Sequence, residues 1–185
     1  GDVSSAKVGD IVLALTKDKQ LGLQDEGYLL NVSDKVVATA ETSTGAYWAT
    51  RTILQAAKAA EGSIPQGIAR DYPLYKVRGF MLDVGRKTFS LEYLKQMAKQ
   101  MAWYKLNDFH LHLNDNYIWV EEYKGDSVNN AYSGFRLESD IKAGGNSGKN
   151  KADLTSKDMA YSKADFASFI SASAEMGVNI VPEFD

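Results

Sequence analysis

Three apolar segments that each end in polar residues constrain this chain more than any other feature of its sequence. They are residues 77–86 (VRGFMLDVGR), 108–116 (DFHLHLNDN) and 178–185 (VNIVPEFD), and stretches with helical spacing separate them. Strands that alternate with helices and carry polar side chains at their carboxyl ends are typical of a (β/α)8 barrel. We therefore expect an α/β fold in which residues 74–185 form the amino-terminal part of a TIM-barrel domain, its first three strands.

The residues before Pro73 predict a smaller α+β unit. Residues 10–15 predict a buried strand, and residues 27–32 and 35–40 predict the two strands of a hairpin. Thr44 is a suitable N-cap for a helix that runs from Gly45 to about Ala60. We expect residues 1–73 to be a partial amino-terminal α/β domain.

Composition narrows the classes of protein that this chain can belong to. A formal net charge of -3 gives no basic face, so we expect no nucleic-acid partner. No apolar run is long enough to cross a bilayer, so we expect no membrane insertion. The chain has no Cys, which excludes disulfides, thiol chemistry and Cys-based metal sites.

His110 and His112 form a His-x-His pair on the second strand. Because side chains alternate along a strand, both imidazoles lie on the same face. Some metal-dependent hydrolases use such pairs as ligands, but carboxylates would have to complete the shell because the chain has no other His. We favour the simpler interpretation, histidines inside a barrel that bond to their neighbours, and expect no metal.

The three segments together resemble family 20 of the glycoside hydrolases, the β-N-acetylhexosaminidases and lacto-N-biosidases. The motifs are residues 78–86 (RGFMLDVGR), 110–119 (HLHLNDNYIW) and 181–185 (VPEFD), in the order and spacing of the family. The resemblance covers residues 75–185 well, and residues 1–73 look like the later part of the small domain that precedes the family's barrel. One departure is Asn116, where many members have a second Asp, and it leaves the choice of substrate open.

The resemblance implies roles for four residues. Arg78 is expected to hold hydroxyls of the sugar, because a guanidinium offers a rigid fork of donors; the alternative is a pair with a buried carboxylate such as Asp83. Asp115 and Asp185 are expected to form a polar network that supports the catalytic acid, although Asp115 could instead cap the next element. Trp119 is expected to stack on a sugar ring or to pack in the core.

Three neighbouring side chains carry no catalytic role in this interpretation. Asp83 and Arg86 are expected to form a structural ion pair near the barrel mouth, and Glu183 is expected to serve packing or local pairing.

The implied mechanism is substrate-assisted and retaining, and it needs no cofactor. The acetamido oxygen of the substrate attacks the anomeric carbon, a Glu protonates the leaving oxygen, and an adjacent Asp orients the acetamido group. The family carries that Asp-Glu pair after the fourth strand. We therefore expect no catalytic residue in this chain, which would be an inactive fragment of an enzyme acting on terminal β-linked N-acetylhexosamine or lacto-N-biose.

Other classes of function remain open from the sequence. The chain could be a non-catalytic carbohydrate-binding or interaction module, or a metal-dependent hydrolase that uses His110 and His112. The family implies a bacterial extracellular or cell-surface location, and an open sheet edge predicts self-association. Residues 121–160, rich in Gly, Asn, Ser and Lys, predict a long loop at the active-site face. Within it, residues 132–139 resemble a segment of some cell-surface members.

Overall fold

The computed structural model describes residues 3–116, 119–122, 124, 134–140, 155–156 and 158–185. The chain divides into two compact units. The first comprises Gly1–Arg78 with Ala102–Lys105, and the second comprises Gly79–Met101 with Leu106–Asp185. The sequence prediction put the boundary after residue 73, and the precise boundary stays a prediction.

The first unit is built on a four-stranded sheet in the order β1-β3-β2-β4. Its strands are β1 (Ile11–Leu15), β2 (Tyr28–Val32), β3 (Val36–Ala40) and β4 (Gly67–Asp71). The hairpin of β2 and β3 is present with antiparallel register, as predicted, while β1 runs parallel to β3. The strands therefore form a mixed sheet.

Helix α1 (Ser43–Ala59) packs on the strands of the first unit. Trp48, Ala49 and Ile53 lie on its buried face, and Tyr28 and Leu30 are buried residues of the sheet. Its N-cap is Thr42, whose hydroxyl accepts a hydrogen bond from the backbone N–H of Gly45. The predicted cap, Thr44, is wrong because that residue already lies inside the helix.

The second unit carries a parallel three-stranded sheet in the order β5-β6-β7. Its elements are β5 (Gly79–Asp83), α2 (Leu91–Trp103), β6 (Asp108–His112), α3 (Lys163–Glu175) and β7 (Asn179–Glu183). The alternation of three parallel strands with two helices confirms the expected α/β class and is consistent with the first part of a barrel. Strand β5 lies at an edge of this sheet, and its Phe80 and Met81 are exposed although the segment is almost wholly apolar.

Aromatic side chains join α3 to the sheet of the second unit. The ring of Phe169, which is fully buried, meets the ring of Phe109 edge-on at a centroid distance of 6.5 Å. Phe166 lies next to Phe169 and stacks on Tyr161. Ser162 caps α3 by accepting the backbone N–H of Asp165. This packing fixes β6 and β7 side by side and so places their carboxyl ends together.

Among the described residues, no helix is long and apolar enough to cross a membrane.

Candidate active site

The carboxyl ends of the three parallel strands meet at one edge of the sheet. Asp83, His112 and Glu183 occupy matching register positions on β5, β6 and β7. Residues in register on neighbouring parallel strands point to the same face, so their side chains form one layer. His110 lies two residues earlier, on the same face of β6. A barrel enzyme carries its chemistry at this end of its strands.

His112 lies between two carboxylates. Its Nδ1 is 2.6 Å from Oε2 of Glu183, and its Nε2 is 2.8 Å from Oδ2 of Asp115. The side chain is only 11% exposed. Burial lowers the pKa of His112, but the hydrogen bonds with Asp115 and Glu183 and the charges of Glu183 and Asp83 outweigh it, so the pKa lies above its ordinary value.

Glu183 bridges the two histidines. Its Oε2 lies 3.0 Å from Nε2 of His110 as well as close to His112. The two imidazoles bond to neighbours, as the simpler interpretation of the His-x-His pair predicts. Glu183 therefore links β7 to β6, whereas the sequence led us to expect only packing or local pairing of this residue.

Arg86 joins the carboxylates of the first two strands. It donates to Asp83 at 2.9 Å, to the backbone carbonyl of Asn116 at 2.8 Å, and to Asp115. Burial alone would raise the pKa of Asp83, but hydrogen bonds from the backbone and guanidinium of Arg86 hold it below its ordinary value. The expected pair of Asp83 and Arg86 is therefore present, and it extends to Asp115.

Close contacts of Gly85 and Asn114 fix the backbone at this edge of the sheet. Gly85 lies so close to Asn114 that a Cβ at residue 85 would come within 2.9 Å of the Asn114 Cα. The amide group of Asn114 donates to the carbonyl of Asp185 and accepts from its N–H. Glycine and asparagine at these two positions therefore fix how the three strand ends approach one another.

A buried arginine braces the same edge. Arg136 is 2% exposed and donates to the carbonyls of Val84 and Gly85 and to the side chain of Asp158. It lies in the segment 132–139 that resembles part of some cell-surface family members. Residues 132 and 133 of that segment, like most of the predicted loop at 121–160, lie outside the described residues.

The structure brings Asp115 and Asp185 together. One carboxylate oxygen of each lies within 4.8 Å of the other and of a His112 ring nitrogen. Such spacing alone would allow a metal ion, but the hydrogen bonds to Asp115 and Glu183 account for both ring nitrogens of His112. We therefore assign these atoms to a hydrogen-bonded network, and the supporting role of Asp115 and Asp185 in catalysis stays a prediction.

Arg78 does not join this cluster. It directly precedes the first residue of β5, at the amino-terminal end of that strand, whereas the cluster follows the carboxyl ends. Its guanidinium pairs with Glu26 and donates to the carbonyls of Tyr75 and Lys105. The sequence also allowed Arg78 to pair with a carboxylate such as Asp83. Arg78 does pair with a carboxylate, but the partner is Glu26. The sugar contact predicted for Arg78 stays a prediction without support from this geometry.

Trp119 is 65% exposed, which disagrees with a core position. Among the described residues it takes part in none of the hydrogen bonds or ion pairs of the cluster. Its predicted sugar contact is not tested. The sequence interpretation expected Arg86 near the barrel mouth with Asp83, but it missed the contact of Arg86 with Asp115. The order along the chain was a signal, because Arg86 lies at the carboxyl end of the first predicted strand and Arg78 at its start.

Comparison with known proteins agrees with the motifs. The sequence model of "Glycosyl hydrolase family 20, catalytic domain" matches residues 75–185, and that of "Glycosyl hydrolase family 20, domain 2" matches residues 2–72. A β-hexosaminidase of Vibrio furnissii is 31% identical over 188 residues, which cover 100% of this chain and 29% of that protein. A β-N-acetylhexosaminidase of Cellulomonas fimi is 31% identical and covers 94% of this chain and 33% of its own length.

Solved structures have the same fold. The family 20 β-N-acetylhexosaminidase from Streptomyces coelicolor A3(2) superimposes with a TM-score of 0.72 at 27% identity, over 98% of this chain and 35% of that one. A mutant β-hexosaminidase of Streptomyces plicatus, solved in complex with the product GlcNAc, gives 0.71 at 26% identity over the same shares. The chain thus spans about a third of the length of the relatives it matches. With both family models matched in order along the sequence, this chain belongs to glycosyl hydrolase family 20.

Proposed function

We propose that this chain supplies one side of the active site of a glycosidase that removes terminal β-linked N-acetylhexosamine from oligosaccharides and glycoconjugates. The observation that carries the proposal is the cluster of Arg86, Asp115, His112 and Glu183 at the carboxyl ends of three consecutive parallel strands. Family membership supports it, since the relatives are named as hexosaminidases. Release of lacto-N-biose belongs to the same proposal.

The proposed mechanism is the substrate-assisted one of the family. In it the acetamido oxygen of the sugar attacks the anomeric carbon, and the carboxylates of Asp115 and Asp185 lie in the network that supports the acid. We assign the catalytic Asp-Glu pair to no residue of this chain. We further propose that the three βα units belong to a closed (β/α)8 barrel.

Arg86 is the proposed contact for the sugar hydroxyls. Its side chain is 34% exposed, so the guanidinium reaches solvent at the strand ends while Asp83 and Asp115 fix its orientation. A planar fork of donors held in place suits a pair of neighbouring hydroxyls better than a flexible ammonium group does. This proposal places the contact at Arg86 in preference to Arg78.

Binding of GlcNAc to matched variants tests the proposal. Arg86→Lys should weaken binding about tenfold, the loss of roughly 1.4 kcal/mol of charge-assisted hydrogen bonding. Arg78→Lys is the control with the same chemical change, and it should leave the affinity within about twofold, well under 1 kcal/mol. Equal losses in both variants, or a loss only at residue 78, would contradict the assignment.

We also propose that the protein acts outside the cell or at the surface of a bacterium. A chain without Cys and a substrate class of glycoconjugates are compatible with that location. Fractionation of the source cells tests it, and recovery of the protein only with cytosolic markers would contradict it.

A further inference from the structure

Both ring nitrogens of His112 face carboxylate oxygens. Nδ1 lies 2.6 Å from Glu183 and Nε2 lies 2.8 Å from Asp115. An ionised carboxylate only accepts hydrogen bonds, and a neutral imidazole has only one N–H to donate. If both carboxylates are ionised, the ring must therefore carry two protons and a positive charge.

Asp115 is held in its ionised form by donors other than His112. Arg86 pairs with its Oδ2, and the backbone N–H of Asn116 donates to its Oδ1 at 2.6 Å. A protonated carboxyl would accept these two hydrogen bonds more weakly, because an ionised acceptor makes the stronger bond. Hydrogen bonds to the charged form of a carboxylate favour that form. The proton shared between Asp115 and His112 therefore belongs to the imidazole.

Glu183 is placed in the same way on the other side of the ring. Its Oε2 faces His112 Nδ1 and His110 Nε2, and a neutral His110 can donate its Nε2–H. With ring nitrogens of both histidines at the same oxygen, the ionised form of Glu183 satisfies all three side chains. A charged carboxylate oxygen is also a stronger acceptor for these two N–H groups than a protonated carboxyl would be.

The surrounding charges favour a cationic ring. Among the described residues, the charged and titratable groups near this ring are Asp83 and Arg86 from the end of β5, Asp115 after β6, His110 on β6, and Glu183 and Asp185 from the end of β7. Four of these are acidic, and the guanidinium of Arg86 is bonded to Asp83 and Asp115. The pKa of His112 is raised despite burial, in agreement with this balance.

We propose that His112 is an imidazolium at pH 7 that positions the Asp115 carboxylate at the strand ends, and that Glu183 is the group that keeps it charged. Its catalytic consequence rests on the proposed glycosidase function. Asp115, compensated by both Arg86 and His112, would act there as a fixed negative charge and acceptor, and not as a group that exchanges protons with the substrate. His112 and Glu183 are thus positioning residues.

Nuclear magnetic resonance of the imidazole nitrogens tests this assignment directly on the 185-residue chain. We expect both nitrogens of His112 to carry protons at pH 7. In Glu183→Gln, the titration midpoint of His112 should move downward by roughly 1 to 3 pH units, the usual effect of losing an adjacent opposite charge. The matched control is Glu175→Gln at the exposed end of α3, which should leave the midpoint unchanged.

Two results would overturn the proposal. One is a His112 ring with a single protonated nitrogen at pH 7 in the unaltered chain, a measurement that stands even if Glu183→Gln does not fold. The other is a folded Glu183→Gln protein whose His112 midpoint is unchanged. GlcNAc binding measured on the same sample separates this proposal from the functional one. A charged His112 in a chain that does not bind sugar would contradict only the proposed function. A neutral His112 in a chain that binds sugar would contradict only the proposal that His112 is an imidazolium.

Discussion

The environment of a single side chain sets the properties of His112. Two carboxylates reach it from different elements, Asp115 from the end of β6 and Glu183 from β7. The sequence places His112 on the inner face of a strand, but it does not show which acid lies opposite. That information comes from the register of β6 and β7, which pairs His112 with Glu183 across 71 residues of chain.

The raised pKa of His112 makes the stability of the chain depend on pH. A group whose pKa is higher in the folded than in the unfolded chain stabilises the fold below its unfolded pKa of about 6.5. That contribution disappears as pH rises through the folded pKa. The free energy of unfolding of the wild type should therefore fall over this range relative to His112→Gln. Urea unfolding at a series of pH values measures it, and a difference that stays constant with pH would refute the expectation.

Arg136 shows how a residue without a recognised role can be central to packing. Its guanidinium donates to the Val84 and Gly85 carbonyls inside the second unit, where water cannot replace it. Arg136→Ala should lower the free energy of unfolding by about 2 to 5 kcal/mol, because the two buried carbonyls lose their donors.

Asp158→Asn is the control for the Arg136 prediction. The Asp158 side chain is 63% exposed, so its ion pair with Arg136 should contribute about 1 kcal/mol or less. Chemical denaturation measures the free energy of unfolding of both variants. Comparable losses in the two would show that the exposed ion pair matters and that the buried carbonyl contacts do not.

Elements were predictable from the sequence to different degrees. The order of strands and helices follows from apolar periodicity, and the alternation predicted after Pro73 agrees with the structure. Pattern alone could not separate two threonines at the start of α1, because Thr42 and Thr44 are both good caps. Nor could it show that β5 lies at a sheet edge, since burial of a strand depends on what packs against it.

The cap of α1 is tested by a matched pair of variants. Thr42→Ala removes the hydroxyl that accepts the Gly45 N–H, and it should lower the free energy of unfolding by about 0.5 to 2 kcal/mol. Thr44→Ala lies within the first turn, where Ala favours the helix, so it should have little effect or a small stabilising one. Thermal or urea denaturation measures the loss of stability in each variant. A larger loss in Thr44→Ala than in Thr42→Ala would restore Thr44 as the cap.

At the scale of the whole chain, the site belongs to one unit. Asp83, Arg86, His112, Asp115 and Glu183 all lie in the second unit, which carries the parallel sheet. The sequence predicted this edge of the sheet as the site because strand ends can be read from chain order. It did not predict the pairing of Arg78 with Glu26, because that pair joins residues 52 positions apart and leaves no local signal.

The location of bound GlcNAc tests the proposed site most directly. We expect a titration of the isotope-labelled chain with GlcNAc to shift backbone and side-chain resonances at residues 83–86 and 112–116, which adjoin the carboxyl ends of β5 and β6. Glucose, which lacks the acetamido group, serves as the control and should shift them less. Shifts confined to residues 3–72, or no response to GlcNAc at any concentration, would contradict a sugar site at the strand ends.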